Sequence, residues 1–397
     1  MVRFAPFSAI RYSQSPDVSS VVSPPYDVIS DAGRLALESR DRANSVRLDY
    51  PRDVDGGNRY ELAQQRLHQW LVDATLEIDD VPTLSIYRMT ADDKSGRVTV
   101  TTGIIGQLAL EQPGIGGILP HEQTTAKDKA DRLSLLRATR TNLSPIWGLS
   151  MTEGLAQSYV PIGAPHHWAV DDEGVRHELW IVRDKQRIAA MCAAVNANDV
   201  VVADGHHRFE TALAYQAERP DNDIGAASLM AYIVELAPEE LEVRAIHRIV
   251  RALSRADEVV QLFLQYCDLE PVGPVDTELA FALVDLHAMV LISPEGAWLA
   301  RPRSDAFPAE FTLDSQRVAF MLQSSEPELE FHHDVKTVVR AVASGDAVAG
   351  VLLRPATVAQ IRKVAETHTR MPAKTTFFWP KPRTGMAMRP LDDPSAP

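Results

Sequence analysis

The spacing of apolar and polar positions predicts a chain of interleaved helices and strands. From Asn58 to Glu77, the residues Tyr60, Leu62, Ala63, Leu67, Trp70 and Leu71 recur at three-to-four spacing, the stripe of an amphipathic helix. Leu84–Met89 and Val98–Leu110 alternate about the turn Asp92-Asp93-Lys94-Ser95-Gly96, which is the pattern of a β-hairpin. A second hairpin is predicted over 166–182 around Asp171-Asp172-Glu173-Gly174, and shorter strands over Val18–Val22 and Ser45–Tyr50. Ala126–Thr139 reads as a helix with one strongly charged face, and Leu229–Leu236 as a core strand. Past Ala252 the pattern becomes mixed. A hairpin over Phe281–Ile292 and Ala297–Arg301, a helix from Val335, a strand over Asp346–Leu353 and a helix from Val358 are expected there. The class implied is α+β with a mixed sheet. The shift in pattern predicts a motif-bearing portion over 1–250 and a C-terminal α/β portion over 251–397, whose aromatic, basic tail packs back on the body.

The densest chemistry lies between Val200 and Tyr215. Three valines read as a buried strand, Asp204-Gly205-His206-His207-Arg208 as a polar turn, and Phe209 as the start of a helical pattern. A strand–turn–helix junction aims backbone N–H groups and the positive end of a helix dipole at a ligand, which favours an anion. Gly205 would let the backbone approach it, and Arg208 could clamp it with a planar fork of donors. The histidines and Asp204 could bind metal or move protons. The same residues are also what any capped βα turn carries.

Two other loops offer candidates. Ser23-Pro24-Pro25-Tyr26-Asp27 is stiffened by its prolines and could present Tyr26 and Asp27 to a substrate, or simply start the next helix with Ser30 as cap. His121 and Glu122 follow a glycine-rich loop and could deprotonate a hydroxyl. Lys127, Lys129 or Arg132, on the helix beyond, could hold phosphates, as could Lys374 in the tail.

Composition narrows the classes. Of 397 residues, 45% are hydrophobic and 24% charged, ordinary for a globular protein and long enough for two or three domains. The formal net charge of −14 argues against a general nucleic-acid binder, which neutralises phosphates with a basic surface. Two widely spaced cysteines, Cys192 and Cys267, fit buried free thiols in a reducing compartment. With no apolar run long enough to span a membrane and no signal-peptide layout, a cytoplasmic location is expected. Walker A, GxGxxG, nucleophile-elbow and HExxH motifs do not occur.

Ser23-Pro-Pro-Tyr-Asp-Val-Ile-Ser, His121-Glu with Lys127 and Asp131-Arg132, Asn142-Leu-Ser-Pro-Ile, Ala203-Asp-Gly-His-His-Arg-Phe-Glu-Thr-Ala and Met371-Pro-Ala-Lys-Thr-Thr-Phe-Phe-Trp-Pro-Lys together resemble the bacterial domain-of-unknown-function family numbered 1015, over nearly the whole chain. Locally, the Asp204-Gly-His-His-Arg turn is similar to the phosphate-holding box of ParB nucleotidases, sulfiredoxin and free-serine kinases. This implies a ParB/sulfiredoxin-like core with large insertions. It also implies that Gly205, His206, His207 and Arg208 hold nucleotide phosphates, that Asp204 acts near Mg²⁺ or the transferred group, and that an upstream acid, Glu122 or else Asp27, is the base.

The leading expectation is ATP- or ADP-dependent phosphotransfer, with Mg²⁺, to a small hydroxylated metabolite for which free serine is the nearest precedent. A ParB-like nucleotide switch is one alternative. The other is a metal-dependent hydrolase in which His121, Asp204, His206 and His207 bind the cation.

Overall fold

The computed structural model describes residues 2–53, 57–92, 98–112, 116–120, 129–219, 223–253 and 259–392. The chain divides into two compact units, neither of them one continuous stretch. The first comprises Met1–Glu242, Ala365–Thr369 and Pro380–Pro397, and the second Val243–Val364 and Arg370–Trp379. Residues 380–392 thus belong with the N-terminal unit, and position 250 falls inside the strand His247–Ala252 of the second.

The first unit is built on a nine-stranded mixed sheet among the described residues. Its order is Ile118–Pro120, Val200–Asp204, Ile146–Ser150, Ser228–Glu235, Val98–Ala109, Leu84–Asp92, Arg176–Val182 and His167–Val170, with Phe4–Ala5 also paired to Val98–Ala109. Val200–Asp204 runs parallel to Ile118–Pro120, and Ser228–Glu235 parallel to Ile146–Ser150, while the other pairs are antiparallel. The β-branched run Val200-Val201-Val202 is fully buried because this strand lies inside the sheet. Its inward side joins a core with Ile104, Ile146, Ile233 and, from the helix His206–Ala217, Phe209 and Ala212.

In the second unit a six-stranded antiparallel sheet, counted among the described residues, lies between two apolar layers. Along Met289–Ser293 alternate residues serve each layer. Met289 and Leu291 meet Val318 and Met321 of the helix Asp314–Leu322, whereas Val290 and Ile292 meet Val338 and Val342 of the helix Val335–Ala343. The expected α+β class with a mixed sheet and a C-terminal α/β portion is what the chain adopts. No described helix is long and apolar enough to cross a membrane. Cys192 and Cys267 are free thiols, the latter buried and the former half-buried.

Three expected elements differ. Val18–Val22 is a turn, in which the Asp17 carboxylate accepts from the Ser19 amide (3.0 Å) and hydroxyl (2.6 Å) and so competes with an extended backbone. Val46–Asp49 is a short helix rather than a strand, opened by Asn44 Oδ1 accepting from the Val46 amide at 3.0 Å. Phe281 sits in a helix, Thr277–Ala282, and the hairpin begins only at Met289. In each case a local polar cap outweighed β-branched propensity or an apolar run.

The C-terminal residues of the first unit are sewn in by Arg389, which is fully buried. It gives Nε to Gln107 Oε1 (3.1 Å), Nη1 to Asn142 Oδ1 (3.3 Å) and to the Ser228 carbonyl (3.0 Å), and Nη2 to the Gly225 carbonyl (3.1 Å). Arg389→Ala strips this set of acceptors of their shared donor, leaving Asn142 Oδ1 only its bond from the Met230 amide, and opens a cavity. A loss of about 2–4 kcal/mol is expected, read as a lower urea midpoint for the first unit.

Candidate functional site

The strand Val200–Asp204 pairs with Ile146–Ser150 in a register that shifts between Val202 and Asp204. This irregularity re-aims the strand end just where the motif begins. Only Gly205 then separates strand from helix, and His206, His207 and Arg208 form the first turn of the helix His206–Ala217, three residues earlier than the apolar pattern predicts. Gly205 has φ +84° and offers no side-chain cap to that turn. A β-carbon at 205 would lie 3.0 Å from Cζ and Nε of Arg208, whose guanidinium is folded over the glycine. Glycine is required here twice, by its backbone angle and by the arginine above it.

Asp204 holds the junction together. Its Oδ2 accepts from Arg208 Nη2 at 2.9 Å, and its Oδ1 is paired with Lys381 Nζ. Arg208 Nη1 also donates to the Pro145 carbonyl. Burial alone would oppose ionisation of Asp204, but Lys381 and Arg208, with His206 nearby, outweigh it and hold the carboxyl well below the usual carboxylate range. The same carboxylate raises the pKa of Arg208 against its own burial.

Beside this junction lies a cavity of about 60 Å³. It is lined by Tyr26, Asp49, Arg132, Leu135, Leu136, Thr141, Asn142, Leu143, Ser144, Ile146, Arg208, Thr211, Leu229 and Met230. The three predicted residues among them come from well-separated segments, and their partners explain their placement. Arg132 gives Nη1 to the Asp49 carbonyl (2.6 Å) and Nε to Asp131 Oδ2 (2.9 Å), and its guanidinium lies 4.0 Å over the Tyr26 ring. Burial pushes the Tyr26 hydroxyl up, so it stays neutral. Asp49 is itself buried, which pushes its carboxyl up against the opposing pull of Arg132, Arg208 and the Thr384 hydroxyl, whose Oγ1 donates to Asp49 Oδ2 at 3.0 Å. Asp27 is exposed and acts on Arg208 electrostatically.

His121, Glu122 and Lys127 lie outside the described residues. Lys374 belongs to the second unit, where its carbonyl accepts from Arg248 Nη1 at 3.0 Å. Among the described residues no group of three or more His, Cys, Asp or Glu side chains could hold a metal ion. Both oxygens of Asp204 are given to cations, so the described part of the turn forms no seat for Mg²⁺. Sequence reasoning missed Lys381, Asp49 and Thr211. Lys381 ends the Phe-Phe-Trp-Pro-Lys tail motif, which was the available signal. Asp49 had none, since Ser45–Tyr50 reads as a strand.

Two outcomes are expected. Gly205→Ala strains the backbone by about 1–2 kcal/mol and displaces the Arg208 guanidinium, so urea unfolding should begin earlier. Because the folded-state pKa of Asp204 is depressed, its contribution is fully present above its unfolded value, near 3.8, and is lost as pH falls towards the folded value. Asp204→Asn should therefore unfold earlier near neutral pH. Below about pH 4 it should also lose up to about 1.4 kcal/mol per pH unit less than wild type, measured by urea titration across that range.

Among solved structures, a conserved hypothetical protein from Pyrococcus furiosus shares 12% identity, with 66% of this chain and 87% of that one covered and a TM-score of 0.37. A free serine kinase in complex with AMP shares 13%, with 66% and 83% covered and a TM-score of 0.36. SbnI with a C-terminal truncation, from Staphylococcus aureus, shares 12%, with 68% and 82% covered and a TM-score of 0.39. Likeness of this degree assigns no activity. No curated protein matches the chain. A family model described as protein of unknown function (DUF1015) matches residues 4–330, and the chain belongs to that family.

Proposed function

We propose that this protein is a nucleotide-dependent phosphotransferase that acts on a small hydroxylated metabolite. The phosphates would sit at the first turn of the helix His206–Ala217 and the acceptor in the cavity beside it. The observation that carries the reading is the convergence of Tyr26, Arg132 and Arg208, distant in sequence, around one cavity next to a glycine-opened helix N-terminus. At about 60 Å³ the cavity is far below the roughly 300–1,000 Å³ of pockets that enclose drug-sized ligands, so it suits an acceptor and not a whole nucleotide.

In the proposed step the acceptor hydroxyl oxygen forms a new bond to the terminal phosphorus of ATP or ADP. The bond from that phosphorus to the bridging oxygen breaks, the shortened nucleotide leaves, and the hydroxyl proton passes to a base. Asp204 suits that last role poorly, because a carboxylate held so acidic by Lys381 and Arg208 takes a proton reluctantly. Glu122 is assigned the role of base, with His121 beside it. Arg208, Lys381 and the helix amides would face the phosphates, joined by Lys127. Arg132, already committed to Asp49 and Asp131, would fix the acceptor wall.

A thermal-shift screen with ATP, ADP, CTP and GTP, each with and without Mg²⁺, tests the reading, since a ligand of the folded state raises apparent stability. One nucleotide is expected to shift the wild type and to lose most of that shift in Arg208→Ala, with unliganded stability measured alongside. Glu122→Gln should keep the shift and lower turnover by about 10²–10⁴-fold. No shift with any nucleotide sinks the proposal.

A further inference from the structure

Among the described residues lining the cavity is a buried hydroxyl whose chemistry the fold does not use. Thr211 is 4% exposed and lines the cavity, yet its Oγ1 is buried with no hydrogen-bond partner among the described residues. Buried hydroxyls in folded proteins are ordinarily paired, and an exception calls for a cause. Thr211 sits one helical turn beyond Arg208, on the same side of the helix His206–Ala217. The remaining wall mixes hydrocarbon, from four leucines, an isoleucine and a methionine, with the polar side chains of Tyr26, Asp49, Thr141, Asn142 and Ser144. Two guanidinium groups, Arg132 and Arg208, complete it.

The one acid on this wall among the described residues is Asp49, and it is already engaged. Its Oδ2 accepts from Thr384, and its Oδ1 lies 3.4 Å from Arg132 Nη1. Among the described residues an ammonium group placed here would find no open carboxylate. A carboxylate would find a hydroxyl donor and arginine N–H groups, since a guanidinium carries five donors and Arg208 spends one on each of two partners. By volume there is room for about four to six non-hydrogen atoms, at roughly 10–15 Å³ for each water-sized centre.

We infer that the cavity selects a short aliphatic hydroxy acid, without an α-ammonium group, as the phosphoryl acceptor. Its carboxylate accepts from Thr211 Oγ1 and a wall arginine, its hydrocarbon lies on the leucines, and its hydroxyl faces the 205–208 turn. This rests on the phosphotransferase reading above and narrows it. Serine, the precedent suggested by the motif, becomes the disfavoured acceptor.

A matched pair tests the inference, because 3-hydroxypropionate differs from serine only in lacking the ammonium group. Calorimetric titration of the full chain, with no nucleotide present, should show 3-hydroxypropionate binding about tenfold or more tighter than L-serine. Thr211→Val, which keeps the shape and removes the hydroxyl, should weaken that binding about tenfold. The same variant should raise the melting temperature of unliganded protein, because an unpaired buried hydroxyl is replaced by a methyl group. Inorganic phosphate is the competing anion. Serine binding as tightly as the hydroxy acid, phosphate displacing it at equal concentration, no binding of the hydroxy acid, or a Thr211→Val variant with unchanged affinity or lowered melting temperature would each overturn the inference. Hydroxy-acid binding without any nucleotide shift would leave the cavity assignment standing and remove the phosphotransferase reading instead.

Discussion

The first unit depends on one half-buried negative charge and the two cations that hold it. Asp204 ends a strand inside the sheet, and a lone carboxylate largely removed from water in such a place costs more than most single contacts return. It remains ionised because Arg208, four residues on, covers one oxygen and Lys381, 177 residues on, covers the other. The near partner comes with the helix. The far one requires the chain to return from the second unit and lay residues 380–392 along the first. Removing either cation would leave a charge half-satisfied, the expensive way to break such a network.

That return also shapes the cavity. Thr384, three residues past Lys381, gives its hydroxyl to Asp49 and exchanges backbone hydrogen bonds with Ser23. Asp49 accepts Arg132, and Arg132 stacks on Tyr26, so one wall is a relay of contacts from the C-terminal segment to the Tyr26 loop. The opposite wall is the helix carrying Arg208 and Thr211, positioned by the same segment through Lys381 and Asp204. The cavity's polar rim is therefore fixed by side chains that would otherwise be long and mobile, which lowers the entropic cost of binding a small molecule.

This explains what was legible in the amino-acid order. The 204–208 motif announces itself because its chemistry is local: a β-branched run, a glycine needed for a positive φ, and an arginine at i+4 from an aspartate. Tyr26 and Arg132 were found as chemistry-bearing residues on a stiff loop and a charged helix, though not as neighbours. Asp49 and Lys381 carry as much of the site, yet their meaning lies in partners far along the chain, and periodicity holds no record of that. Thr211 reads as one more polar residue in a helix, and only packing reveals that its hydroxyl has nothing to bond. The strand readings at 18–22 and 45–50 failed for the opposite reason. There Asp17 and Asn44 impose turns at shorter range than the periodicity can register.

The same C-terminal segment closes a second buried network, and its proton inventory shows that this one serves structure. The Arg383 amide donates to Tyr87 Oη at 3.1 Å, so the Tyr87 hydroxyl proton is free to go to His177 Nδ1 at 2.7 Å. His177 Nε2 lies 3.1 Å from Asp171 Oδ2 and 3.4 Å from Arg383 Nε, and the Arg383 guanidinium also pairs with Asp171 Oδ2. Burial first, then Arg383, lower the His177 pKa against the pull of Asp171, so the ring stays neutral and the tautomer is set by its neighbours. Tyr87 and His177 are fully buried and Asp171 is half-buried, so the Tyr–His pair at the inner end of the relay has no open path for proton exchange with a ligand among the described residues. The two networks carry like chemistry but differ in access, because Arg208, which pairs with Asp204, lines a cavity with an unspent hydroxyl. Lys381, Arg383 and Thr384 anchor three separate acids within four residues, with Pro382 fixing the backbone between them. The end of the chain is thus the element that makes the candidate site rigid, and the motif at 204–208 is only the part of it that sequence makes visible.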